Sequence, residues 1–175
     1  MVLSIISNNC WGSEYYKEQK IEYNTPFVGL FLEPDDYLAL LANFRVALEG
    51  PLDFLSTTRR GPKNWPIGVL RGGIEINFMH YKSRSEAKEK WDRRKARLPN
   101  SDSDLFIKFC DRELFTQHHL NEFERLNYSK KICFLKKGRF NIDGRDTAFE
   151  IETSENSCPD GAKLWNLMPF SKLTL

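Results

Sequence analysis

Short apolar runs alternate along this chain with segments in which apolar residues recur at helical spacing. An apolar run bounded by turn residues is typical of a strand in the interior of a sheet. Such runs predict strands at 2–7, 27–32, 66–70, 74–81, 105–109 and 131–135, a shorter strand near 54–55 and an alternating one at 148–151. Helical spacing and capping residues predict helices at 13–20, 37–48 and 84–97, and another that starts at Thr116.

This order of elements predicts an α/β fold of three layers, α/β/α, in which helices cover both faces of a mostly parallel, Rossmann-like sheet. The Gly72-Gly73 link is too short for a parallel crossover, so one of its flanking strands should run antiparallel and make the sheet mixed. A chain of 175 residues suffices for one core, and we expect a single domain over 1–175. The pattern is weakest over 138–175, where only the strand at 148–151 and two aromatic anchors, Trp165 and Phe170, stand out.

The composition is that of an ordinary globular protein. The chain has 26 basic and 24 acidic residues, a formal net charge of +2, and 41% hydrophobic residues, which excludes wholesale disorder. So small a charge gives no reason to expect a nucleic-acid partner. No apolar run is long enough for a transmembrane helix.

The cysteines and histidines favour a reduced protein without a metal site. No C-x-x-C pair occurs, and His118 and His119 are adjacent, so on a helix they point in different directions. We therefore expect a cytoplasmic protein with no bound metal. The thiols are widely scattered, at Cys10, Cys110, Cys133 and Cys158.

The helix predicted at 84–97 is locally basic, with seven basic residues against three acidic ones. Such a charge attracts a nucleotide-sugar, an anionic glycan or the inner face of an anionic membrane, unless it is simply a solvated helix face. An association with the membrane surface therefore stays open.

Polar and reactive side chains follow four of the predicted strands. In an open α/β sheet, ligands bind beyond the carboxyl ends of the strands, so these side chains should meet at one site. The residues in question are Asn8, Asn9, Cys10 and Trp11 after the first strand, Glu33, Asp35 and Asp36 after the second, His80 and Tyr81 at the end of the apolar stretch 74–79, and Asp111 and Arg112 after the strand at 105–109.

The segment from Asn8 to Gly12 occupies the place of a phosphate loop, but it lacks both G-x-G-x-x-G and a P-loop lysine. We therefore expect no nucleotide cofactor. Asn8 and Asn9 either donate to a ligand or tie down the turn. Cys10 is either a nucleophile, with a pKa lowered by the start of a helix, or a small buried hydrophobe.

Three further residues have candidate roles in catalysis or binding. His80 suits a general base, and its alternation with Ile76 also fits a hydrogen-bonded core histidine. Glu75 lies in an apolar strand, so it is either partnered with a base or directed into a cavity. Arg112 suits a phosphate or carboxylate ligand, whereas Asp111 beside it suggests an ion pair that orients the loop.

Several strings of residues resemble a family of bacterial proteins of unknown function, often labelled exopolysaccharide biosynthesis proteins. The resemblance covers about residues 3–135, and from Gly138 the chain departs from the pattern. It implies a role in making or decorating surface glycans and assigns no reaction. The strings are SIISNNCWG at 4–12, TPFVGLF at 25–31, PIGVL at 66–70, IEI at 74–76 with HY at 80–81, EKW at 89–91 with RR at 93–94, and FCDR at 109–112.

These observations lead to one principal hypothesis and two alternatives. The principal one is a transferase that moves an acyl or glycosyl group to a sugar or glycan precursor, with His80 as base, Glu75 orienting it, and Arg112 on an anionic donor. The first alternative is an ester or glycan hydrolase with a Cys10–His80 dyad. The second is a non-catalytic glycan-binding or assembly protein that stacks sugars on Trp11, Trp65 and Tyr81. The oligomeric state stays open.

Overall fold

A computed structural model describes residues 3–173. Val2, the first residue of the predicted N-terminal strand, lies outside this range. The helices are α1 (Trp11–Gln19), α2 (Pro34–Ala42), α3 (Phe44–Glu49), α4 (Arg84–Lys95), α5 (Gln117–Arg125) and α6 (Gly161–Leu167). The strands are β1 (Ser4–Ser7), β2 (Asp53–Leu55), β3 (Ile67–Leu70), β4 (Ile74–Asn77), β5 (Leu105–Cys110), β6 (Lys131–Lys136) and β7 (Ala148–Ile151).

Four strands form a parallel sheet in the order β1-β5-β6-β7. All six residues of β5 are buried, as expected for a central strand of a sheet that is covered on both faces. Ser7 pairs with Lys108, so β1 and β5 end next to each other, and the segments that follow them emerge at the same edge.

Helices cover both faces of this sheet, which confirms the α/β prediction. On one face, α1 and α6 pack together, with the rings of Trp11 and Trp165 5.0 Å apart. On the other face, α2 and α5 pack against the sheet, and the ring of Tyr37 lies 4.9 Å from that of Phe109. Successive residues of β5 alternate between these two apolar clusters.

The antiparallel strands form a sheet of their own, in the order β2-β3-β4. The expected antiparallel pairing around Gly72-Gly73 is present, but these strands do not extend the parallel sheet. The mixed sheet of the prediction is therefore replaced by one parallel and one antiparallel sheet.

The strand predicted at 27–32 is wrong. The segment is mostly buried, but it does not form the hydrogen-bond ladder of a strand. Its one bridge joins Phe31 to Asn77 of β4. Gly29 has a φ of +71°, and a Cβ there would lie 3.1 Å from the ring of Tyr81. The backbone therefore bends where a strand would continue. The helix predicted at 37–48 is likewise divided in two at Asn43.

The region after Gly138 is ordered around β7 and α6. The alternating stretch at 148–151 is a strand that pairs with β6, as predicted. Asp160 caps α6, because its carboxylate accepts hydrogen bonds from the backbone N–H groups of Ala162 and Lys163. None of the helices in the described part of the chain is long and apolar enough to cross a membrane.

Candidate functional site

A cavity of about 540 Å³ opens at the carboxyl edge of the parallel sheet, beyond the ends of β1 and β5. This is the position where α/β proteins bind ligands. Its wall brings together four parts of the fold: Asn8–Cys10 and Arg112–Glu113 after the parallel strands, Phe31–Glu33 from the bridging segment, Lys63, Trp65, Met79 and His80 from the side of the antiparallel sheet, and Asp160–Ala162 at the start of α6.

Beneath this cavity lies Lys108, a lysine in the middle of β5 whose exposed fraction is 0%. Its ammonium group donates to the side-chain oxygens of Asn9, at 2.8 Å, and of Asn8, at 3.2 Å. No carboxylate within residues 3–173 forms an ion pair with it. Sequence reasoning missed Lys108, although a single lysine among the apolar residues of 105–110 was a visible signal.

The amide groups of Asn8 and Asn9 are occupied by this internal network. Asn9 accepts from the backbone N–H of Trp11 at 3.2 Å, and its amide nitrogen donates to the sulfur of Cys110 at 3.2 Å. The side chain of Asn8 also contacts that sulfur. Both asparagines thus fix the turn between β1 and α1, as one of the two roles predicted from the sequence requires. They also form part of the cavity wall.

Cys10 is half-buried at the residue before α1. Burial raises the pKa of its thiol, and the positive charge of Lys108 opposes this rise only in part. Burial therefore outweighs the lowering of the pKa that the place of Cys10 at a helix start favours. A raised pKa favours the thiol of Cys10 over the thiolate.

His80 is exposed at the mouth of the cavity, so it is not the core histidine that the alternation of β4 also allowed. The strand ends at Asn77, and the backbone N–H of His80 donates to the carbonyl of Gly29 at 3.1 Å. This bond holds the backbone next to the bridging segment and leaves the imidazole at the opening.

Two cationic groups and an aromatic ring complete the cavity. Arg112 donates to the carbonyl of Cys158 at 3.0 Å and lies 3.8 Å from Glu113. Lys63 has no ion-pair partner in the described part of the chain, and its ammonium group lies 5.9 Å from the ring centre of Trp65. The indole N–H of Trp65 donates to Asn77 at 3.0 Å, which fixes the orientation of its ring.

The carboxylates around the opening are already partnered. Glu33 forms an ion pair with Arg60, and Asp160 caps α6. Lys63 is therefore the cation of the cavity wall that has no carboxylate partner in the described part of the chain. Arg112 lies 3.8 Å from Glu113 and 3.9 Å from Glu155, so these carboxylates share its charge with any anionic ligand.

Glu75 lies outside the cavity. It is 7% exposed, and its carboxylate accepts from both the backbone N–H and the guanidinium of Arg59. Asp36, which accepts from the backbone N–H of Glu75, also pairs with Arg59. Glu75 is therefore partnered with a basic residue, which was one of its two predicted environments, and is not directed into the cavity. The structure gives no contact through which Glu75 would orient His80.

Two aromatic residues that were expected to bind a ligand, Trp11 and Tyr81, also lie outside the cavity. Trp11 is fully buried under the parallel sheet, where its indole N–H donates to the carbonyl of Met168 at 3.0 Å. The hydroxyl of Tyr81 is buried between the carbonyl of Val28 and the guanidinium of Arg94. Neither aromatic ring reaches the cavity, so Trp65 is the one of the three aromatic residues proposed for stacking sugars that lines it.

Asp111 is buried too, and its carboxylate is a structural group. It accepts from the backbone N–H of Cys158 at 2.7 Å and of Lys136 at 3.0 Å, and it pairs with Arg139 at 3.1 Å. It therefore ties β5 to the segments after β6 and β7. Within residues 3–173, no three side chains of His, Cys, Asp or Glu are grouped to hold a metal ion.

Comparisons with known proteins identify the family. The family described as "Domain of unknown function (DUF1919)" matches residues 1–169. An uncharacterized protein of Haemophilus influenzae is 37% identical over 135 residues, which are 77% of this chain and 62% of that protein. The chain thus spans less than two thirds of the length of this relative. The match continues beyond Gly138, where the sequence had suggested a departure from the family pattern. The chain belongs to the DUF1919 family.

Proposed function

We propose that this member of the DUF1919 family is a transferase that acts on a sugar or glycan precursor in exopolysaccharide biosynthesis. The observation that carries the proposal is that Cys10, His80 and Arg112, from three separate parts of the chain, line one cavity at the carboxyl edge of the parallel sheet. The exopolysaccharide context comes from the resemblance of the strand-end motifs.

The cavity suits the binding of an activated sugar. The ring of Trp65 offers an apolar face for a sugar ring, and its orientation is fixed by Asn77. Arg112 and Lys63 supply positive charge for the phosphates of a nucleotide-sugar. A cavity of about 540 Å³ is within the range of small-molecule sites.

His80 is the base in this proposal. It accepts the proton of an acceptor hydroxyl, whose oxygen forms a bond to the anomeric carbon of the donor. The bond from that carbon to the phosphate oxygen breaks, and the nucleoside diphosphate leaves with the electron pair. Arg112 and Lys63 stabilise the charge that develops on the leaving group.

The state of Cys10 favours glycosyl transfer over acyl transfer. Acyl transfer through a thioester needs a thiolate, whereas burial raises the pKa of this thiol. A second candidate function is a hydrolase with a Cys10–His80 dyad. The observation in its favour is that both residues line the same cavity, where His80 could serve as the base for the thiol.

Thermal unfolding with a panel of nucleotide-sugars and acyl-coenzyme A compounds tests the proposal. A ligand that binds the folded state raises the melting temperature. We expect a nucleotide-sugar to do so, and Arg112→Gln to abolish the shift. Arg71→Gln is the matched control, because Arg71 is exposed and lies outside the cavity. Stabilisation by acyl-coenzyme A alone, or by no compound, would overturn the glycosyl-transfer proposal.

A further inference from the structure

A second concavity, of about 610 Å³, lies between the C-terminal ends of α1 and α4. We call it the basic groove. Nine residues line it, and five of them are cationic whereas only Glu22 is acidic. The cationic residues are Lys17, Lys20, Arg93, Arg94 and Arg97, and Tyr16, Ile21 and Tyr23 complete the wall.

Arg94 is a buried cation without an acidic partner. Its exposed fraction is 8%, and no carboxylate of residues 3–173 lies within ion-pair distance of its guanidinium. One nitrogen donates to the hydroxyl of Tyr81 at 2.6 Å, and the guanidinium lies 4.7 Å from the ring centre of Tyr23. Buried charges in proteins are normally paired, so an anionic ligand is the expected partner of the Arg94 guanidinium.

The other cations of the groove form only exposed ion pairs or none. Lys20 makes no ion pair in the described range. Arg97 lies 3.3 Å from Glu22, and Lys17 and Arg93 pair with residues of their own helices. Exposed pairs of this kind are weak. The groove therefore keeps an excess of positive charge around Arg94.

The groove is separate from the cavity at the carboxyl edge. α1 begins at Trp11, next to the cavity residue Cys10, and ends at Gln19, next to the groove residue Lys20. The nine residues of α1 put roughly 13 Å between its two ends.

We propose that the basic groove binds a phosphate group. Guanidinium groups bind phosphate in a bidentate manner, and Lys20 and Arg94 of the groove have no carboxylate partner within residues 3–173. Phosphate of this kind is carried either by the headgroup of an anionic lipid or by a soluble phosphorylated compound. The lipid source would place the protein at a membrane surface.

Two binding measurements distinguish these sources. The first is calorimetric titration with inorganic diphosphate, and the second is sedimentation with phosphatidylcholine vesicles with and without phosphatidylglycerol. The test variant is Lys20→Gln with Arg97→Gln, which leaves Arg94 in place. The control is Lys88→Gln with Arg125→Gln, which removes the same charge from exposed, ion-paired positions outside the groove.

We expect binding to at least one of the two probes, weakened by about tenfold or more in the test variant and unchanged in the control. Binding to diphosphate would indicate a soluble phosphate, and binding to the anionic vesicles alone would indicate a lipid headgroup. Absence of binding to both, or equal loss in both variants, would overturn the proposal.

One more variant separates this proposal from the function proposed for the cavity. Arg112→Gln removes a cation of the cavity and none of the groove. Binding that survives Arg112→Gln and is lost in the groove variant belongs to the groove. The opposite pattern would assign the phosphate to the cavity and contradict the proposal.

Discussion

The ammonium group of Lys108 lies 2.8 Å from the side-chain oxygen of Asn9, in a part of the core where residues 3–173 offer it no carboxylate. A buried charge that is held only by neutral amides depends on each of its hydrogen bonds. The turn between β1 and α1, which forms one wall of the cavity, is thereby linked to the middle of β5.

Removal of the Asn9 side chain should therefore destabilise the fold. Asn9→Ala leaves the ammonium group of Lys108 with Asn8 as its acceptor, and it also removes the acceptor for Trp11. We expect a loss of about 2–3 kcal/mol in the free energy of unfolding, measured by urea denaturation. Asn9→Asp keeps an acceptor and adds an opposite charge, so it should lose less. A change in Asn9→Ala within the error of the measurement would contradict the network.

Gly161 permits the close contact between α6 and the start of α1. A Cβ on this residue would lie 2.8 Å and 2.9 Å from backbone atoms of Cys10 and even nearer to the backbone nitrogen of Trp11. Because backbone cannot rotate away as a side chain can, we expect Gly161→Ala to lose about 1–3 kcal/mol of unfolding free energy. Gly50→Ala is the control, because the nearest atom to its Cβ would be 3.8 Å away. Equal stability of the two variants would contradict this packing.

Arg59 holds together two buried carboxylates, those of Asp36 and Glu75. Burial raises the pKa of Asp36, and the charge of Arg59 opposes this rise. In Arg59→Gln the pKa of Asp36 should rise further, so the folded state favours the protonated acid more strongly. An acid with a raised pKa contributes stability at low pH that is lost as the pH rises through the folded-state pKa.

Arg59→Gln should therefore lose about 1–3 kcal/mol of unfolding free energy near neutral pH and less in mild acid. The measurement is urea denaturation at both pH values. Arg71→Gln serves as control, because the pair of Arg71 with Glu49 is exposed and should contribute little at either pH. A loss in Arg59→Gln that grows towards acid would contradict the assigned role.

The raised pKa of Cys10 predicts slow alkylation of its thiol near neutral pH. The rate should rise with pH and reach half its maximum above the pH that is usual for a cysteine. Mass spectrometry after treatment with iodoacetamide measures this, and the buried Cys110, Cys133 and Cys158 should stay unmodified in the folded protein. Lys108→Gln removes the charge that lowers this pKa, so alkylation should become slower still. Rapid alkylation near neutral pH would instead favour a thiolate nucleophile.

Much of the fold could be predicted from the sequence because the parallel strands are apolar, the predicted helices repeat apolar residues at helical spacing, and Ser83 and Thr116 mark the starts of α4 and α5. The segment at 27–32 could not, since an apolar run that is buried by packing has the same composition as a strand. Its bend depends on the contact of Gly29 with Tyr81, which are far apart in the sequence. The separation of the two sheets likewise depends on long-range pairing.

The lining of the cavity could be predicted in part. Following the strand ends led to Asn8, Cys10, His80 and Arg112, because a parallel sheet brings its carboxyl ends to one edge. It failed for Trp11 and Tyr81, because position after a strand does not reveal whether an aromatic side chain turns into the core. The strand ends do not point to Lys108, because this residue lies within β5 and reaches the turn through its side chain.

The most direct test of the account compares turnover in His80→Gln and Cys10→Ala. The substrate is the nucleotide-sugar that most stabilises the protein, and the measurement is release of nucleoside diphosphate in the presence of a sugar acceptor. If His80 is the base and Cys10 only a neutral thiol of the wall, His80→Gln should lower turnover by about 10²- to 10⁴-fold, and Cys10→Ala should retain most of it. Loss of turnover in Cys10→Ala with retention in His80→Gln would contradict the account.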